Sequence, residues 1–270
     1  PPGGSNASFA RQVGKALGDA LNTTVVIDNR PGASGNIGSQ LVARAAPDGH
    51  TLVAVSSSIT TNAAVQPNMP FDVIKSFTPV AMMAKGPFIA AVNNDVPVKT
   101  PAELVERMKK DADKLNYASS GLGSSNQFAT EMLKAATQTG IVHVPYRGMG
   151  QAVTGLAAGE TQLLIASGPS LLPQVRSGRI RAVGITSLEP SAIAPDLVPI
   201  ASVVPGYSFE LWWGLLAPAG TPKPIVDKIN AAVNQIVSSP EMKDAFLKEG
   251  AESAPMSPAA FADVIAADIP

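Results

Sequence analysis

The sequence predicts an α/β fold, and three observations carry that prediction. Short β-branched runs alternate with helical patterns, Gly/Ser loops fall where a strand hands over to a helix, and those loops carry almost no charged side chains. Pro2-Gly3-Gly4-Ser5-Asn6 opens the chain, Ser56-Ser57-Ser58-Ile59-Thr60 follows a Val-rich strand, and Ser119-Ser120-Gly121-Leu122-Gly123-Ser124-Ser125 follows another. A helix N-terminus presents unpaired N–H groups and about half a positive charge, so such loops can hold a carboxylate or phosphate without Lys or Arg. The pattern points to capture of an anion, with no obvious reactive group.

The elements follow in order. Ser5 or Asn6 can cap a helix whose buried stripe is Phe9, Val13, Leu17 and Leu21. Thr24 to Ile27 reads as a strand, Asn36 to Ala46 as a helix and Thr51 to Val55 as a strand. Thr100-Pro101-Ala102-Glu103 is a capping box with Pro at the first helical position, predicting a helix to about Asp113. Asn116 to Ser119, Ile141 to Val144, Leu163 to Ile165 and Arg181 to Ile185 read as strands, with helices from about Ser125 and Gly150 between them. Strand, helix, strand at this spacing predicts parallel sheets covered on both faces.

Two lobes are expected. Phe88 to Val92, leading into the Pro-bounded stretch Asn93 to Pro101, and Phe209 to Trp213, leading into Ala217 to Pro222, are the places where the chain could cross. The expected division puts residues 1–94 and 216–270 in one lobe and 95–215 in the other, with a single sheet and Pro-rich loops as the alternative.

With 270 residues, 45% apolar and 15% charged, the chain can bury one large or two medium cores. A net charge of -1 and no basic run interleaved with aromatics argue against a nucleic-acid partner. No cysteine is present, so thiol chemistry and thiolate metal sites are excluded. The longest apolar stretches are strand-sized, which predicts no membrane span. The start inside a Pro-Pro-Gly-Gly turn leads to the expectation that preceding sequence has been removed or is missing.

Catalytic signatures are sparse. Neither a Gly-x-Ser-x-Gly elbow nor a phosphate loop ending in Gly-Lys-Ser/Thr is present. His50 lies in the Asp48-Gly49-His50 turn and His143 in a strand, and each reads as a hydrogen-bonded structural histidine without metal-ligand spacing. No metal or cofactor is expected. Gly32 to Gly38 lacks the tight turn a dinucleotide needs and reads as a loop leading into a helix. Glu103, Glu106, Lys109 and Lys110 form a solvated helix face. Trp212-Trp213 could line a cleft, although one of two adjacent strand residues is buried by default.

Six ordered motifs carry a family resemblance. They are Pro2-Gly3-Gly4-Ser5 with Ala10-Arg11; Asn29-Arg30-Pro31-Gly32-Ala33 with Gly35 and Gly38; Pro47-Asp48-Gly49-His50-Thr51-Leu52; Ser119-Ser120-Gly121 with Gly123-Ser124; His143-Val144-Pro145-Tyr146-Arg147-Gly148; and Ala217-Pro218-Ala219-Gly220-Thr221-Pro222. Across nearly its whole length the chain resembles the Bug family, the extracytoplasmic solute receptors of tripartite tricarboxylate transporters. The resemblance implies a periplasmic binding protein of the two-lobed Venus-flytrap type, a monomer, which closes on a solute in the interlobe cleft and is read by membrane components of the transporter. It also implies that anions are held by backbone N–H groups, hydroxyls and waters at helix N-termini.

By position, the resemblance assigns ligand contacts to Ser5, Asn6 and Ala7, to Ser57, Ser58 and Thr60, to Gly123, Ser124 and Ser125, to Tyr146, and to Ser167. Each Ser can equally cap a helix. Members often carry Asp at the positions of Ala7 and Ala166, where it can pair with an amino-acid ammonium; both are Ala here. The expected ligand is therefore a carboxylate without an amine, such as an aliphatic dicarboxylate or an aromatic acid. Members also usually have a strand before the Pro-Gly-Gly turn and a longer C-terminal helix, so a fragment is expected. The competing expectations are a hydrolase or transferase using a cleft serine, and a subunit presenting solute to a signalling partner.

Overall fold

A computed structural model describes residues 5–66 and 68–269. The chain begins with α1 (Ser5–Leu21), α2 (Asn36–Ala43), β1 (Val53–Ser56), α3 (Ser58–Val65), β2 (Phe77–Asn93) and α4 (Pro101–Lys110). It continues with β3 (Asn116–Ser119), α5 (Ser125–Thr137), β4 (Val142–Pro145), α6 (Met149–Ala158), β5 (Leu163–Ser167), α7 (Gly168–Arg176) and β6 (Ile180–Ile185). The last elements are β7 (Glu210–Pro218), α8 (Lys223–Ser238), α9 (Pro240–Glu249), β8 (Glu252–Ser253) and α10 (Pro258–Ala267).

The chain forms two compact units. The first takes the chain up to Lys85, Trp212–Leu247 and the part from Glu252 onward; the second takes Gly86–Leu211 and Lys248–Ala251. The sequence places the divisions at 94/95 and 215/216, whereas here they fall inside β2 and at the start of β7. The reason is that β2 is one uninterrupted strand serving two sheets. Its Ala84 and Lys85 pair with β8, and from Phe88 onward it pairs with β5 and β6.

In the first unit, β1 runs antiparallel to β7, which lies beside β2. Phe9, Val13 and Leu17 of α1 are buried as their four-residue spacing requires, and Leu21 is partly buried. Phe71, Phe77, Met82, Trp212, Leu216 and Phe261 belong to the core. Trp212 and Trp213 are both buried, because each face of β7 is covered. Trp212 meets Phe261 edge-on at 5.1 Å, and Trp213 meets Phe9 at 4.6 Å. The segment from Thr24 to Ile27, expected as a strand, is not one. Its β-branched residues favour extended chain, but a strand needs a ladder partner, and among the described residues none pairs with it.

The second unit carries β3, β4 and β5 as parallel neighbours, with β3 in the middle. The expectation of wholly parallel sheets fails at β2, which is antiparallel to both β5 and β6, and β1 with β7 is antiparallel as well. Strand β2 enters from the other unit, so no crossover helix within this sheet sets its direction. The core packs Ile89, Ala118, Leu156, Leu164, Ala166 and Leu171. The capping box forms: Thr100 Oγ1 accepts the Glu103 N–H at 3.2 Å, and Glu103 Oε2 accepts the Thr100 N–H at 3.2 Å. Helix α4 ends at Lys110, ahead of the expected Asp113, where Asp111 takes ion pairs from Arg107 and Lys114 and a short 3-10 turn follows.

Candidate functional site

The second unit gathers its predicted residues by topology. Because β3, β4 and β5 are parallel, their C-terminal ends share one edge, and each end hands over to the N-terminus of α5, α6 or α7. Gly123, Ser124, Ser125, Tyr146 and Ser167 all lie along that edge, the position where open α/β sheets take ligands. Three helix N-termini there favour negative charge.

The Ser119 to Ser125 loop is held from inside. Gly121 and Gly123 have φ of 128° and 77°, a backbone that Gly adopts without strain. Ser124 Oγ donates to the Gly121 carbonyl at 2.6 Å, so its hydroxyl hydrogen shapes the loop. Asn126 Oδ1 accepts from Ser120 Oγ at 2.8 Å, which leaves Asn126 Nδ2 as the donor end. That Nδ2 is buried and has no hydrogen-bond partner among the described residues. The sequence reading missed Asn126; an amide in the first turn of a helix after a Gly/Ser loop was the available signal.

Behind the loop lies a side-chain cluster. His143 Nε2 is 2.6 Å from Ser119 Oγ, and His143 Nδ1 is 3.4 Å from Gln127 Nε2. Gln127 Oε1 accepts the Gly123 N–H at 2.7 Å. The His143 ring stacks on Tyr117 at 4.8 Å, and Tyr117 donates to Glu131, which also pairs with Lys134 at 2.8 Å. Burial holds His143 below the usual imidazole value, with Glu131 opposing and Lys134 reinforcing the shift. Burial and the bond to Glu131 push the Tyr117 phenol up.

Tyr146 is anchored at both ends. Its N–H donates to the Ser119 carbonyl at 2.9 Å, and its phenol donates to Glu160 Oε2 at 2.8 Å. Burial, with Glu160 beside it, raises the phenol. Ser167 is buried and shares a hydrogen bond with Ser170 at 3.1 Å.

In the first unit, Ser5 Oγ accepts the Trp213 indole N–H at 2.9 Å, and the Ser57 N–H donates to the Trp212 carbonyl at 3.2 Å. The two loops are thereby pinned to adjacent residues of β7. Asn6, Ala7 and Ser58 come together on the wall of one cavity of about 360 Å³, with Asn36, Ser39 and Ser56. Thr60 is fully buried and turns its hydroxyl back to the Ser57 carbonyl at 2.7 Å, which braces the loop. The Pro2-Gly3-Gly4 turn lies outside the described residues. Among the described residues, no group of three acidic or His side chains could hold a metal, and no helix is long and apolar enough to cross a membrane.

A sequence profile described as the tripartite tricarboxylate transporter family receptor matches residues 9–269. The chain belongs to this receptor family. A related family member, Protein BugT of Bordetella pertussis (strain Tohama I), is 32% identical over 254 residues, 93% of this chain and 78% of its own. The R. palustris protein Rpa4515, solved with adipate, is 32% identical with a TM-score of 0.97 and covers 100% of this chain and 91% of its own. MatC (Rpa3494) of Rhodopseudomonas palustris, solved with bound malate, is 29% identical with a TM-score of 0.93, covering 100% of this chain and 93% of its own. The receptor therefore has the two-domain periplasmic-binding-protein fold and is a solute-binding protein of this family.

Proposed function

We propose that this receptor works in the periplasm, binds a small aliphatic dicarboxylate and delivers it to the membrane components of a tripartite tricarboxylate transporter. The observation that carries the reading is the edge of the second unit, where three helix N-termini lie side by side and the buried Asn126 Nδ2 has no acceptor among the described residues. A buried donor without a partner costs about 1–3 kcal/mol, and a carboxylate oxygen removes that cost. Similarity to proteins solved with adipate and malate supports the same ligand class. Ala7 and the buried Ala166 provide no carboxylate for an ammonium, which disfavours acidic amino acids.

The geometry disfavours the hydrolase reading. Gln127 uses its Oε1 on the Gly123 N–H, so its Nε2 donates to His143 Nδ1, and the neutral ring carries its proton on Nε2. The ring therefore donates to Ser119 and cannot take its proton, and an amide stands where a triad places an acid.

The test is a thermal-shift and calorimetric panel on refolded, solute-free protein with adipate, malate, citrate, benzoate, aspartate and glutamate. A ligand at about a hundred times its Kd adds roughly 2.7 kcal/mol of stability. Shifts with adipate or malate and none with the amino acids are expected. Silence across the panel, or aspartate binding as tightly as adipate, overturns the reading.

A further inference from the structure

We propose that His143 is a proton-operated positioning residue, whose protonation turns Gln127 away from Gly123 and releases that backbone N–H to an anion. The last step rests on the carboxylate-receptor reading; the proton-driven rearrangement does not.

The hydrogen-bond directions form a closed chain. The Gly123 N–H donates to Gln127 Oε1 at 2.7 Å, Gln127 Nε2 donates to His143 Nδ1 at 3.4 Å, and His143 Nε2 donates to Ser119 Oγ at 2.6 Å. Ser119 Oγ also accepts the Gly121 N–H and donates to the Gly121 carbonyl, each at 3.1 Å. One neutral ring thus braces the loop at Ser119 and Gly121 through Nε2 and at Gly123 through Gln127. Every link is satisfied only in the tautomer with Nδ1 unprotonated.

A proton on Nδ1 reverses one link. The ring then presents an N–H to the Gln127 NH₂, and two donors face each other. Turning the Gln127 amide over in place brings Oε1 to the imidazolium but sets Nε2 against the Gly123 N–H, a second pair of donors, so the Gln127 side chain swings away from Gly123 as Oε1 follows the ring. The Gly123 N–H, in the loop ahead of the α5 N-terminus, becomes available to a carboxylate, with a new positive charge one side chain away.

The surroundings permit this titration. From α5 the ring faces Glu131 and Lys134, which pair with each other, and from β3 it faces the Tyr117 ring, whose phenol donates to Glu131. Its own strand, β4, carries no other titratable residue. The ring is half-buried, which disfavours the cation, so the neutral arrangement is the one present near neutral pH and the proton arrives in mild acid.

The experiment is NMR of the ligand-free protein with labelled histidine and backbone, taken from about pH 8 to about pH 5. His143 should show the Nε2–H tautomer at the alkaline end, and the Gly123 amide should move with the same midpoint as the ring. Gln127→Leu should leave the ring titrating while Gly123 no longer follows it. An Nδ1–H tautomer, or a Gly123 amide that ignores the ring in the native protein, overturns the proposal without requiring any variant to fold. Adipate binding supplies the second readout: affinity should rise by roughly tenfold as the ring protonates, and His143→Gln should abolish the rise. If adipate and the other carboxylates fail to bind while Gly123 follows the ring, the receptor reading falls and the proton-driven rearrangement stands.

Discussion

The indole N–H of Trp213 donates to Ser5 Oγ at 2.9 Å, joining strand β7 to the first residue of α1. Trp213 is completely buried and Ser5 partly buried, so the indole N–H depends on that hydroxyl for its acceptor. Ser5→Ala should destabilise the protein by about 1–3 kcal/mol, the cost of one buried donor left unpaired. Urea unfolding followed by tryptophan emission measures it, and an unchanged midpoint would remove the structural role from this contact.

Gly168 opens α7 directly after Ser167. A Cβ there would stand 2.5 Å from the Glu249 carbonyl oxygen and 2.8 Å from Gly250 Cα, both backbone atoms that cannot swing aside. Gly168→Ala should cost about 1–3 kcal/mol and shift the Ser167 end of β5. Calorimetry should show a lowered Tm; an unaltered Tm would mean that the chain around Glu249 yields easily.

The legible parts of this fold are those written in local chemistry. The Thr100 box, the Phe9-Val13-Leu17 stripe and the Asn116 to Ser119 strand depend on neighbours within a few residues, and each is where its pattern puts it. The Thr24 to Ile27 segment has the same local quality but depends on a distant ladder partner, which no pattern encodes. The direction of β2 and the point at which it changes sheets are equally non-local. At the site, the Gly/Ser loops advertise themselves. Asn126, Gln127 and His143 matter through hydrogen-bond direction, visible only once Ser119, Gly121 and Gly123 are in place.

Asn93 caps a helix from outside it. Its Nδ2 donates to the Leu156 carbonyl at 2.9 Å, at the C-terminal end of α6, and its Oδ1 accepts the Asp95 N–H at 2.9 Å. Asn93→Asp replaces that donor with a carboxylate facing a carbonyl at the negative end of the helix. The new acid's pKa should be raised by folding, so the variant holds its stability in acid and loses it as pH rises through that value. A stability profile indistinguishable from the native one between about pH 4 and about pH 8 would contradict this.

His143 has the opposite linkage. Burial depresses its folded-state pKa below the ordinary imidazole value, so the unfolded chain binds the proton more readily. Its share of stability is complete above 6.5 and is lost as pH falls through the folded-state value. Native protein should therefore weaken in mild acid, and His143→Gln should flatten that part of the profile. Urea midpoints across the range compare the two, and parallel profiles would show that another group is responsible.

Asn126→Asp tests whether the buried amide donor serves a ligand carboxylate. The substitution keeps an acceptor for Ser120 Oγ and places a negative charge in the first turn of α5, which the helix dipole favours. What disappears is the buried Nδ2 donor, replaced by an oxygen that repels a ligand carboxylate. Losing one hydrogen bond to a charged group removes about 1.5–3 kcal/mol, so adipate affinity should fall by at least roughly tenfold, and the urea midpoint should fall near neutral pH because the new carboxylate oxygen is buried. Calorimetric titration decides the matter: full adipate affinity in a folded Asn126→Asp protein would place the carboxylate elsewhere, and a collapsed fold would show that the amide's main work is to hold the Ser119 to Ser125 loop.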